Sequence, residues 1–199
     1  MEQIISKEEF AEIKKAKGEV RGIGPRAIAE YVLRKEGEHG LKKLEDVMRS
    51  LDFPIEYRKI NQMDYYPYWL VTASFLAVKR LFNFVNEDFQ KMGALDVKFT
   101  PLQKFFIKYF VSLKKMAESA SKMWEHYDTV GKIELIEFDE KNKRAVMKVT
   151  EFDRSEYQCQ YLIGYIAAMA KIVSKTMPVC EETKCTFRGD EYHEFTLTW

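Results

Sequence analysis

The stretch Gly131-Lys132-Ile133-Glu134-Leu135-Ile136-Glu137-Phe138, then Asp139-Glu140-Lys141-Asn142-Lys143, then Ala145-Val146-Met147-Lys148-Val149 decides the fold. Two short runs rich in β-branched and aliphatic residues flank a polar loop, and this predicts a β-hairpin. Downstream, Asp153 or Ser155 offers a cap for a helix from about Glu156 to Lys175. Tyr161, Leu162, Tyr165, Ile166, Met169 and Ile172 fall on its apolar side, and Gly164 leaves room for a close neighbour. Pro178 ends that element. Residues 179–187 and 192–199 then read as a second hairpin, turned by Arg188-Gly189-Asp190-Glu191. The order over 128–199 is hairpin, helix, hairpin: a β-β-α-β-β unit with antiparallel pairs.

Outward from this unit, towards the N-terminus, the pattern is helical. Ser6-Lys7-Glu8-Glu9 is a capping box, in which serine and glutamate satisfy backbone amides at a helix start, and it predicts a helix to about Lys17. Gly18, Gly22, Gly24 and Pro25 break the chain. Ile28, Tyr31 and Val32 mark a second helix ended by Gly37 to Gly40, and Leu41, Leu44, Val47, Met48 and Leu51 mark a third. From Asp64 to about Met92, apolar residues surround one helix that Gly93 would stop. Pro101 opens another, carrying Phe105, Tyr109 and Trp124. Helices apolar on most faces need a large partner surface. The expectation is one α+β domain over 1–199, its mainly helical segment 1–127 packed with the sheet unit 128–199.

Composition narrows the function. The 199 residues carry 32 basic and 31 acidic side chains, for a net charge of +1, which excludes a strongly basic nucleic-acid binder. Hydrophobic residues at 46% and charged residues at 32% fit a soluble globular chain. The first nine residues lack the basic start and apolar centre of a signal peptide, and the longest apolar stretch, Tyr66 to Val78, is too short and interrupted to span a bilayer. A cytoplasmic protein without a membrane span is expected. Three cysteines with no C-x-x-C pair argue against a disulfide scaffold. The 14 Phe, 11 Tyr and 3 Trp must either fill a core or line a cavity.

Glu182-Thr183-Lys184-Cys185-Thr186-Phe187-Arg188-Gly189-Asp190-Glu191-Tyr192-His193-Glu194-Phe195 reads E-x-x-C-x-x-x-G-D-x-x-H-x-F. This resembles the C-terminal motif of 4-vinyl reductase domains, E-x-x-C-x-x-x-G-x-x-x-C-x-F, in a superfamily with haem NO-binding domains and subunits of the TRAPP vesicle-tethering complex. Cys159-Gln160-Tyr161-Leu162-Ile163-Gly164-Tyr165-Ile166 upstream also looks like that group. The second motif cysteine is His193 here. The resemblance implies a non-enzymatic small-molecule-binding or sensory domain, able to act with a signalling protein, whose motif cysteines can bind zinc. An apolar ligand would lie between the aromatic helices and the sheet, and Tyr68, Trp69, Phe105, Tyr109 and Trp124 are the candidate lining residues by aromatic character and central position. Resemblance to TRAPP subunits implies an alternative, a homodimeric interaction scaffold that buries the same aromatic stripe. The wider superfamily implies another, a haem- or zinc-binding sensor.

For metal, Cys185 and His193 are the candidate ligands, since thiolate and imidazole both suit zinc. An odd turn would set them opposite each other on one sheet face and an even turn would offset them. Cys159 and Cys180 are the other cysteines. Without metal, Cys185 reads as a small buried hydrophobe and His193 as a hydrogen-bonded residue beside Phe195, Leu197 and Trp199. Glu181 and Glu182, as strand neighbours, point to opposite faces and do not form an acid-base pair. Gly189-Asp190 reads as tight-turn chemistry. Haem is not expected: the Y-x-S-x-R pattern that holds its propionates in haem NO-binding domains is absent, and His39 and His126 read as exposed. No nucleophile elbow, dinucleotide fingerprint or phosphate loop occurs, so reductase activity has no support in the sequence.

Overall fold

The computed structural model describes residues 4–99, 112–152, 155–174 and 176–199. In chain order these form α1 (Lys7–Lys14), β1 (Glu19–Arg21), α2 (Ile23–Ser50), β2 (Tyr65–Pro67), α3 (Trp69–Phe82), α4 (Asn86–Phe99), α5 (Leu113–Glu118), α6 (Ala120–Tyr127), β3 (Lys132–Asp139), β4 (Arg144–Thr150), α7 (Glu156–Val173), β5 (Val179–Lys184) and β6 (His193–Thr198). The result is an α+β fold, with helices through the first half and an antiparallel sheet unit at the C-terminal end.

The two hairpins join into one four-stranded antiparallel sheet of order β3-β4-β6-β5. Its central pair aligns Ala145 with Leu197, Met147 with Phe195 and Val149 with His193. All six side chains are buried, so one face of the sheet carries the apolar set that alternation demands. α7 connects the hairpins and crosses α4 closely. At the crossing, a Cβ on Gly164 would lie 1.8 Å from the Gln90 carbonyl oxygen, and one on Gly93 would lie 1.9 Å from that of Tyr161. Gly93 therefore does not stop a helix, as the sequence suggests. It sits inside α4 because only a residue without a side chain lets the two backbones touch.

Two other sequence expectations change and one holds. The single aromatic helix from 64 to 92 is broken: β2 precedes it, and Asn83 ends α3 in the left-handed conformation with φ 53°. The expected second and third helices are both present within the α2 span and meet at Gly37, whose φ of 70° and ψ of −171° break the helical path where the sequence predicts. The glycine-rich stretch before Pro25 holds β1, which pairs with β2. The start of the helix expected from Pro101 lies outside the described residues, and its later part comprises α5 and α6, meeting at Ser119. The Ser6 cap is present, its hydroxyl accepting from the Glu9 amide, and a two-pronged Arg80–Glu9 ion pair ties α1 to α3. No helix among the described residues is long and apolar enough to cross a membrane.

Candidate metal centre and the cavity beside it

Four side chains from three elements converge where α7 meets the second hairpin. Cys159 lies in the first turn and a half of α7, Glu182 on β5, Cys185 just past its end, and His193 at the start of β6. Lys184 pairs with Glu194, so the next residues along, Cys185 and His193, face each other across the turn. A register shift between Glu182 and Lys184 completes the set. In an unbroken strand, residues three apart point to opposite faces, and the irregularity changes that parity so that Glu182 joins Cys185 on the inner side. The turn is held by Asp190, whose carboxylate accepts from the Cys185 amide at 2.8 Å, and by Gly189 at φ 94°.

One donor atom from each of the four lies within 4.8 Å of all the others. Cys159 Sγ is 4.0 Å from Cys185 Sγ and 3.6 Å from His193 Nδ1, and Nδ1 is 3.0 Å from Glu182 Oε1. Tetrahedral zinc with ordinary bond lengths would place such pairs about 3.8, 3.6 and 3.4 Å apart. The set thus sits within a few tenths of an ångström of a coordination shell. Each side chain is at most 3% exposed. The other histidine nitrogen, Nε2, is 3.0 Å from the Thr186 hydroxyl, which fixes the ring with Nδ1 towards the centre.

Electrostatics at the cluster suit a cation. Burial, and then the negative Glu182, push the Cys159 thiol far up, and burial also raises Cys185. Burial acts upward on Glu182 too, but hydrogen bonds from His193, Cys159 and Cys185 outweigh it and hold the carboxyl below its usual range. A divalent cation reverses the thiol penalty, because the thiolate is the ligand. Two cysteines, one histidine and one glutamate in this arrangement can coordinate a metal. Cys180 is not part of the cluster: it packs in the core opposite Leu197, its thiol pushed up to about 12 by burial.

Of these four donors, the sequence singled out Cys185 and His193, and missed Cys159 and Glu182. Glu182 was legible as the first letter of E-x-x-C. Cys159, 26 residues before Cys185, stood out only through the upstream stretch that resembles the same group and had no metal-ligand spacing to Cys185.

Beside the cluster, a cavity of about 140 Å³ lies between the helices and the inner face of the sheet. Tyr68 and Trp124 line it. Trp69 is elsewhere, edge-on to Phe10 and Phe53 at centroid distances of 5.3 and 4.7 Å. Phe105 and Tyr109 lie outside the described residues. Phe152 links cavity and cluster: it lines the cavity, its ring meets Trp124 at 5.3 Å, and it also meets the His193 ring at 6.2 Å. Gln158, adjacent to Cys159 of the cluster, lines the cavity as well and donates to the Tyr68 hydroxyl at 2.7 Å. His39 and His126 are exposed, so no histidine lines the cavity among the described residues.

No family profile and no curated protein sequence matches this chain. Solved structures do match in fold. An H-NOX protein from Shewanella oneidensis in the Fe(II)NO ligation state superimposes with a TM-score of 0.68 at 11% identity, covering 89% of this chain and 97% of that one. An H-NOX structure from work on haem distortion gives 0.63 at 14% identity, covering 90% and 94%. An oxygen-binding H-NOX domain related to soluble guanylate cyclases, in its oxygen complex, gives 0.58 at 15% identity, covering 86% and 90%. At these identities the likeness is one of fold: the chain has the architecture of the H-NOX domains.

Proposed function

We propose that this chain is a zinc-stabilised ligand-binding domain of the sensor type, closer in its chemistry to the 4-vinyl reductase group than to haem sensors. The observation that carries the reading is the four-donor cluster packed against an apolar cavity. Two thiols, an imidazole and a carboxylate suit zinc better than harder or larger cations. Four protein ligands leave no open position, so the ion is structural: it ties α7 to the β5–β6 hairpin and holds one wall of the cavity. The cavity receives a compact molecule, since about 150 Å³ of apolar space accommodates a benzene-sized guest.

Haem, the group named for the structural relatives, does not fit the residues present. Its usual proximal ligand in globins and peroxidases is an imidazole. Two of the three histidines are exposed and the third sits in the metal cluster with both ring nitrogens engaged. The segment 100–111 holds no histidine either.

Elemental analysis and native mass spectrometry of the purified protein test the reading. One zinc per chain is expected, lost in Cys185→Ser and in His193→Ala. Cys180→Ser, outside the cluster, keeps it. Protein that is folded, metal-free and unable to take up added zinc would overturn the assignment.

A further inference from the structure

We propose that the cavity selects a small organic cation, a primary ammonium group on a single ring, with Asp128 as its counter-charge. The inference rests on the ligand-binding reading above and names the class of ligand. It stands on the polar atoms of an otherwise apolar wall.

Among the described lining residues there is no lysine, arginine or histidine, yet two carboxyls, Asp96 and Asp128, are present. Asp96 accepts from the Tyr161 hydroxyl. Two further buried atoms of the lining have no hydrogen-bond partner: Gln158 Oε1 and the Tyr127 hydroxyl oxygen. Gln158 is only 2% exposed, and its amide nitrogen is already committed to Tyr68. A buried acceptor without a donor is costly to keep, so a fold that keeps one gains when a donor arrives.

Gln158 Oε1 can only accept, and the Tyr127 hydroxyl accepts as well as donates, so both have room for a donor. A phenol or a carboxylic acid offers one donor at most, and a carboxylate would bring an anion to a wall that already holds two carboxyls. An ammonium offers three donors and the matching charge. The remaining wall suits it as well, because Tyr68, Phe75, Trp124, Phe152 and Tyr165 line the same space and ring faces attract cations. Arg21, the cation that acts on Tyr127, stacks on Tyr65 at 3.7 Å and donates to the His126 and Met63 carbonyls, so it is committed outside the cavity.

Burial, with Asp96 beside it, raises the Asp128 carboxyl well above the usual range. Both causes favour the protonated form of Asp128 when no cation is present. Where the carboxyl carries a proton, an arriving ammonium ion displaces that proton to solvent and meets the carboxylate, leaving the net charge of the site unchanged.

Isothermal titration of the zinc-loaded protein with benzylamine, benzyl alcohol and toluene tests this. Benzylamine should bind at least tenfold more tightly than benzyl alcohol. Asp128→Asn should lower benzylamine affinity at least tenfold and leave toluene unchanged, and Gln158→Leu should do the same to a smaller degree. Equal binding of all three, indifferent to Asp128→Asn, overturns the cation proposal and keeps the ligand-binding reading. Binding of none overturns both. Circular dichroism confirms folding of each variant, and Gln158→Leu supplies the test if Asp128→Asn does not fold.

Discussion

Asp128 shows how a single acid marks a site and makes a measurable demand on stability. Its carboxyl feels Asp96 from α4, with Tyr127 on the preceding helix end and Tyr161 and Tyr165 from α7 in the same electrostatic neighbourhood. Burial is the larger cause of its raised pKa and Asp96 the second. A raised carboxyl pKa means that the folded state binds more protons than the unfolded one above about pH 4. Stability from this group is therefore greatest at acid pH and falls as pH rises from about 4 through the folded pKa, by at most about 1.4 kcal/mol per pH unit. Asp128→Asn should remove that slope. Denaturant unfolding of ligand-free protein at pH 4.5 and pH 7.5 should show the variant gaining on the wild type as pH rises. A difference that stays flat with pH would mean Asp128 is ionised without a bound cation.

The close crossing of α4 and α7 places Gln158, Cys159 and Tyr161 at once, so it governs both cavity and cluster. Gly164→Ala would normally favour a helix by about 1 kcal/mol, but the new Cβ would lie 1.8 Å from a backbone oxygen of α4. Backbone cannot swing aside as a long side chain does, so the helices must separate. A net loss of about 1–3 kcal/mol is expected, together with weaker cavity binding. An unchanged melting temperature would show that α7 is not pinned against α4. Gly164 as a contact residue was legible in the sequence, since a glycine in an otherwise apolar helix signals close approach. The hairpins and α7 were legible too, because strand alternation and helical spacing are local. What lay beyond the sequence was everything set by distant pairing. Asn83 breaks the aromatic stretch without interrupting its apolar pattern, and β1 and β2 are three residues each, too short to show a period. Glu182 was excluded as a partner of Glu181 by strand alternation, and that rule holds. The register shift that joins it to Cys185 depends on pairing with β6, which no local pattern encodes.

Across the molecule, the cluster and the main helical core carry different loads. Most of the largest fully buried side chains of the helical half, Tyr57, Phe75, Phe84, Phe89, Leu44 and Met48 among them, belong to α2, α3, α4 and the segments joining them. The turn between β5 and β6, by contrast, carries the exposed Phe187 and is fastened chiefly through the donor cluster, Asp190 and Arg188. Zinc in small metal-dependent folds contributes about 10–16 kcal/mol, far more than these few hydrogen bonds at about 1 kcal/mol each. Chelation should therefore loosen one region and leave the helical core standing. Hydrogen exchange on chelated protein should speed up at residues 155–162 and 182–194 and stay slow in α2 and α3. Because Gln158 adjoins Cys159 and Phe152 touches both His193 and the cavity, the same treatment should weaken benzylamine binding. Linkage requires the reverse by an equal factor: bound benzylamine must reduce the loss of zinc to a competing chelator at equilibrium. A benzylamine affinity identical with and without zinc would show that the metal holds the hairpin alone. The domain would then have no route from its cavity to the β5–β6 surface through the cluster.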